Sequence, residues 1–139
     1  MNKFFITLIL FFAANTLQAQ DIVGTWQGDD GAQIGAMIFD AEGYCTFVVG
    51  NETMGGKEFE IEGNKGSMSY LIDEKKEPMA ITITITRFKS ETKEGASTNI
   101  YGLLQFIDAN NIRLALGNPE EVVTEFTELN SIELERKIE

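Results

Sequence analysis

The 139-residue chain contains no histidine. That removes Ser-His-Asp and Cys-His nucleophile systems, histidine general bases and histidine-ligated zinc or iron centres. Cysteine occurs once, at Cys45, so no internal disulfide forms. Proline occurs twice and tryptophan once. Cations are scarce: 11 Lys and Arg stand against 22 Asp and Glu, a net charge of −11. So acidic a surface repels phosphate backbones and anionic lipid, which argues against nucleic-acid and membrane-surface roles. It favours solubility, and solvation alone accounts for it.

What is present begins with an export pattern. Met1-Asn2-Lys3 gives a positive start, Phe4 to Ala14 is apolar, and Asn15 to Ala19 is a more polar exit ending in a small residue. That order is the one found in secretory signal peptides, and the apolar run is short for a membrane span. Residues 1–19 are therefore expected to be a leader. No cysteine stands at the exit to accept a lipid, so a soluble periplasmic or secreted protein is expected. The remainder, 20–139, has single-domain length and is long enough for one core.

The dominant period is two. Ile81-Thr82-Ile83-Thr84-Ile85-Thr86 alternates without a fault, and so does Lys57-Glu58-Phe59-Glu60-Ile61-Glu62. Ile112 to Leu116 and Ile132 to Arg136 repeat the scheme. Successive side chains of a strand point to opposite faces, so each segment has one apolar and one polar or small face. Turn residues separate the runs: Gly28 to Gly31, Asp40 to Gly43, Gly50 to Gly56, Glu62 to Gly66, Asp73 to Pro78, Lys89 to Ser97, Asp108 to Asn111, and Gly117 to Pro119. Between them lie about nine expected strands, at 22–28, 34–40, 43–50, 56–62, 66–73, 79–88, 98–108, 111–117 and 131–137. A further extended piece is expected near 122–127, and Pro119 could start a turn of helix. Consecutive strands with short turns form antiparallel meanders. Closing eight or nine of them into an up-and-down barrel removes exposed edges; a two-sheet sandwich is the alternative. The expectation is one all-β domain.

Gly24-Thr25-Trp26, at the start of this meander, resembles the Gly-x-Trp opening of lipocalins and lipocalin-like barrels. Phe39-Asp40-Ala41-Glu42-Gly43-Tyr44 resembles the F-D-x-x-G hairpin of that group. Pro78 to Thr84, Ile100-Tyr101, Ile112 to Leu116, Thr124-Glu125-Phe126 and Leu134 to Lys137 then follow in matching order. The succession is similar to a family of small exported lipocalin-like proteins common in planctomycete bacteria, which has no assigned activity. Val122-Val123 stands where that family often carries Arg-Pro. The resemblance implies a barrel closed at one end by Trp26, with Gly24 beside it and a basic residue of the last strand, Arg136, over the indole. A ligand-stacking role is the alternative for Trp26.

If the apolar parity faces inward, the barrel is lined by Met37, Phe39, Phe47, Val49, Phe59, Ile61, Met68, Tyr70, Ile81, Ile83, Ile85, Leu104 and Phe106. That lining suits a small apolar ligand. The same side chains could instead meet at the centre and fill it, since barrels of this size lie at that boundary. Cys45 shares a face with Phe47 and Val49 and is expected to be a buried core thiol. Glu58, Glu60 and Glu62 lie opposite Phe59 and Ile61 and are expected to face solvent. Asp29-Asp30-Gly31 lacks the spaced oxygens of a calcium loop and is expected to be a turn. No catalytic residue, metal or cofactor is expected. The sequence thus points to a monomeric, non-enzymatic barrel that binds a small apolar molecule. A protein-interaction or inhibitor module with a packed interior, acting through its loops and acidic face, is the alternative.

Overall fold

A computed structural model describes residues 21–28, 35–89 and 95–137. The expected leader at 1–19 and the Asp29-Asp30-Gly31 turn lie outside them. The described residues form nine strands and no helix: β1 (Gly24–Gly28), β2 (Ala36–Phe39), β3 (Cys45–Val49), β4 (Glu52–Ile61), β5 (Asn64–Asp73), β6 (Met79–Arg87), β7 (Ser97–Asp108), β8 (Asn111–Leu116) and β9 (Ser131–Arg136). They follow one another around a closed barrel, and β9 pairs back onto β1. The alternating segments became strands because closure gives each apolar face a shared interior and each ladder a partner.

Every neighbouring pair is antiparallel, β1 with β9 included. Strict alternation closes a ring only for an even number of strands, so one of the nine must turn back along its own length. That strand is β4. Its first arm, Glu52 to Gly55, pairs with β3, and its second arm, from Gly56 onward, pairs with β5. The ladder register breaks between Gly56 and Phe59. Gly55 and Gly56 have φ of 114° and 89°, conformations open to glycine and strained for other residues. Beneath this corner Tyr44 bridges directly to Ser69, so β3 meets β5 where the two arms of β4 diverge. The Gly50 to Gly56 stretch is therefore not one turn. It holds a tight turn at Gly50-Asn51 and then a bend inside a strand.

Two other expectations change. The 122–127 piece is not a strand, and Pro119 opens no helix. Residues 117–130 instead run as a strap across the outside of β6, β7 and β8. The strap completes a ladder: β8 stops pairing at Gly102, and beyond it Gly117 N–H donates to Tyr101 O at 3.0 Å and Glu120 N–H to Asn99 O at 2.9 Å. The Glu120 carboxylate accepts the Asn99 N–H at 2.9 Å. Backbone groups of β7 that would otherwise lack partners are thereby satisfied. Leu103 and Ala115 point outward from adjacent strands yet are buried, because the strap crosses there.

Candidate functional site

One end of the barrel is closed by a small set of local contacts. Trp26 is fully buried, and its indole N–H donates to Ile22 O at 2.8 Å. Phe106 meets its ring edge-on at a centroid distance of 6.2 Å. Arg136 pairs with Trp26 across β9 and β1, and its guanidinium carbon lies 4.3 Å from the ring centroid. The same guanidinium donates to Val23 O at 2.9 Å and to Asp21 O, fastening the residues before β1. Gly24 has φ of 138°, and a Cβ there would lie 3.0 Å from Arg136 Nη1. A side chain at that position would push the arginine from its place. Gly24, Trp26 and Arg136 thus form one closure, in which every polar atom of the indole and several guanidinium hydrogens have partners.

Asp40 organises the adjoining turn. Its carboxylate accepts the N–H groups of Glu42 and Tyr44, both at 2.9 Å, and its carbonyl accepts the Tyr70 hydroxyl at 2.7 Å. Tyr70 in turn meets Phe39 edge-on at 4.9 Å. Burial, and then the neighbouring carboxylates of Asp40 and Asp21, raise the Tyr70 hydroxyl above the ordinary tyrosine range.

All thirteen residues expected to line the interior lie on the inward face of their strands, as the register of the ladders shows. They fall into two groups. Met37, Phe39, Met68, Ile81, Ile83 and Leu104 are no more than 1% exposed, as are Ile112, Leu114 and Leu134 beside them. A void large enough for a water molecule would leave accessible area on the side chains around it, so this part of the interior is filled. Toward the other end the packing loosens. Phe59, Ile61 and Ile85 are half-buried, with Ile100 among them, and Phe47 lies just beneath. Val49 and Met54 carry the same inner face onto the rim, where both are 42% exposed. Ile61 folds over Gly66, whose missing Cβ would sit 2.6 Å from the isoleucine Cδ1. Arg87 and Glu62 pair at 3.3 Å on the same rim. Tyr70 and Phe106, half-buried, belong to the closed end.

The reactive groups are quiet. The Cys45 thiol is buried on the inner face, and burial, with a smaller push from Asp40, raises it to about 12. A thiol so placed is not a nucleophile near neutral pH. Glu58, Glu60 and Glu62 face solvent, and Glu58 pairs with Lys65 at 2.8 Å. Asp108 is held below the usual carboxylate range by hydrogen bonds from Asn110 and Asn111. Among the described residues, no group of three or more Cys, Asp or Glu is placed to hold a metal ion.

A second concavity was not anticipated. It lies outside the barrel, between the strap and the outer face of β6 and β7, with a volume of about 610 Å³. Ala80, Thr82, Tyr101 and Leu103 form its floor, Val122, Val123 and Thr124 one wall, and Lys76-Glu77-Pro78 the other. Past that turn a neighbouring depression of about 510 Å³ reaches Gln105, Phe106 and Phe126. Its signal in the sequence is a break of alternation. Leu103-Leu104 and Leu114-Ala115-Leu116 are continuous apolar runs, the mark of strands covered on both faces.

Comparison of the chain with protein-family models, with curated proteins and with solved structures gives no match.

Proposed function

We propose that this protein is an exported, non-enzymatic, lipocalin-like barrel that takes a small, mainly apolar molecule into the mouth opposite the Trp26 closure. The observation that carries the reading is the uneven packing of the inner face. Below, side chains are no more than 1% exposed; above, Phe59, Ile61, Ile85 and Ile100 stay half-buried beneath an apolar rim of Val49 and Met54. Apolar area left this way on a concave face supports burial of a ligand that adds its own apolar surface, at roughly 25 cal/mol per Å² removed from water. The buried, protonated thiol and the absence of histidine support a binding role over a catalytic one. Native mass spectrometry of protein taken from its own host tests the proposal. A retained small molecule that Ile100→Arg releases is the expected result. Repeated ligand-free spectra, with no apolar compound binding the purified barrel, would sink it.

A protein-interaction role is the second reading, and one observation favours it. Leu129 is fully exposed at the tip of a turn that is ordered by its own hydrogen bonds. Thr127 N–H donates to Asn130 Oδ1 at 2.8 Å, Asn130 N–H to Thr127 Oγ1 at 3.1 Å, and the Asn130 amide to Glu125 O at 3.0 Å. Such a turn presents an apolar knob with little ordering cost. A partner captured by the parent chain and lost with Leu129→Ala would favour this reading over the first.

A further inference from the structure

We infer that the groove outside the barrel, between the strap and β6–β7, is a second small-molecule site, one that takes a mainly apolar ligand carrying no negative charge and one hydrogen-bond acceptor. Its volume of about 610 Å³ falls in the range of ligand pockets, roughly 300–1,000 Å³. Leu103, Ala80, Val122, Val123 and Pro78 make the walls apolar.

The rim carries unsatisfied apolar area. Leu71 lies in the same cross-strand row as Thr82 and Tyr101 on the groove floor. Leu71 and Val122 are each 74% exposed, so two of the most exposed large apolar side chains flank this groove. Exposed apolar side chains on both sides of an apolar groove favour a place where something binds.

Charge and polarity narrow the occupant. Lys76 and Glu77 offset one another in the lining, which leaves the groove in the field of a chain with net charge −11. A carboxylate or phosphate ligand would be repelled by that field, while a neutral or cationic one would not. Tyr101 is among the lining residues, and its hydroxyl accepts the Asn99 side-chain amide at 3.3 Å, which leaves its own proton to be donated to an acceptor on the ligand. The walls come from two independent elements: a rigid sheet face on one side, and on the other a strap held at Tyr101 and Asn99 by its backbone. The site is therefore present before the ligand arrives, which reduces the ordering cost of binding.

The two sites are separable by single substitutions at exposed positions. Titration of the full chain with the neutral dye Nile red, followed by fluorescence, reads binding. ¹H–¹⁵N amide shifts locate it. Val122→Arg places a cation in the groove wall and is expected to weaken the dye by about ten-fold or more. Met54→Arg, on the barrel rim, leaves the groove component unchanged, and the shifted amides cluster at Ala80, Leu103 and Val123. An anionic dye, 8-anilinonaphthalene-1-sulfonate, binds the groove more weakly than Nile red. Dye binding that survives Val122→Arg intact, or that disappears only with Met54→Arg, overturns the inference. Loss with Val122→Arg alone leaves the groove standing even if the barrel mouth proves empty.

Discussion

The guanidinium of Arg136 lies 4.3 Å over the Trp26 ring while its nitrogens hold the carbonyls of Val23 and Asp21. Residues 110 positions apart thus join the first and last strands at one point of the barrel. The contact combines three effects: burial of the largest side chain, a cation over an aromatic face, and charge-assisted hydrogen bonds to backbone that would otherwise fray.

Trp26→Ala is expected to lower the unfolding free energy by about 3–5 kcal/mol, since it empties a fully buried site. Arg136→Met keeps apolar length but drops the cation and the donors, and about 1–3 kcal/mol should go with it. Urea denaturation followed by tryptophan fluorescence measures the second; circular dichroism measures the first. An unchanged midpoint for Trp26→Ala would show that the indole is not the closure.

Both residues came within reach of the sequence through a resemblance: the Gly-x-Trp opening of lipocalin-like barrels implies a basic residue of the last strand over the indole, and Arg136 is the match by position. The strands were legible because period-two alternation and the turn residues that bound each run are both properties of neighbours along the chain. Two features were not. Gly55 and Gly56 look like turn residues in any window, and only the pairing of β3 and β5 makes them a bend within β4. The strap has no period. Val122, Val123 and Phe126 become meaningful only against Leu103 and Arg113, which are distant in sequence. How far the interior is filled was also beyond the sequence, because the same inward list fits a packed barrel and a hollow one.

The bend in β4 gives a paired test on two glycines. A Cβ at Gly55 would lie 2.5 Å from Cys45 O and 3.0 Å from Thr46 Cα, at φ of 114°. A Cβ at Gly43 would meet nothing within 4 Å, at φ of 99°. Gly43→Ala therefore carries the backbone cost alone, about 1–2 kcal/mol. Gly55→Ala adds a clash with backbone that has no flexible end to yield, and should cost at least about 1 kcal/mol more than Gly43→Ala. Equal loss of stability in the two variants, measured by denaturant titration, would mean that the corner does not depend on close approach.

The last expectation concerns the one cysteine. Its thiol is raised from 9.0 to about 12, chiefly by burial and then by the carboxylate of Asp40. A group whose folded value lies above its unfolded value contributes its full stabilisation below the unfolded value, here pH 9. As pH climbs toward 12 the unfolded chain loses the thiol proton while the folded chain keeps it, and stability falls through that window. Tyr70 is raised from 10.0 by burial and by the same carboxylate, so it steepens the fall in the same direction. Cys45→Ala should flatten the alkaline part of a stability-against-pH curve relative to the parent while leaving the Tyr70 contribution. Asp40→Asn keeps acceptor capacity for the turn yet removes the nearby charge, and should lower the thiol value and shrink the same slope. In the native state at pH 8 iodoacetamide should modify the parent far more slowly than in denaturant. Rapid native labelling, or an alkaline slope indifferent to Cys45→Ala, would place the thiol outside the packed face that β2, β3 and β4 make around it.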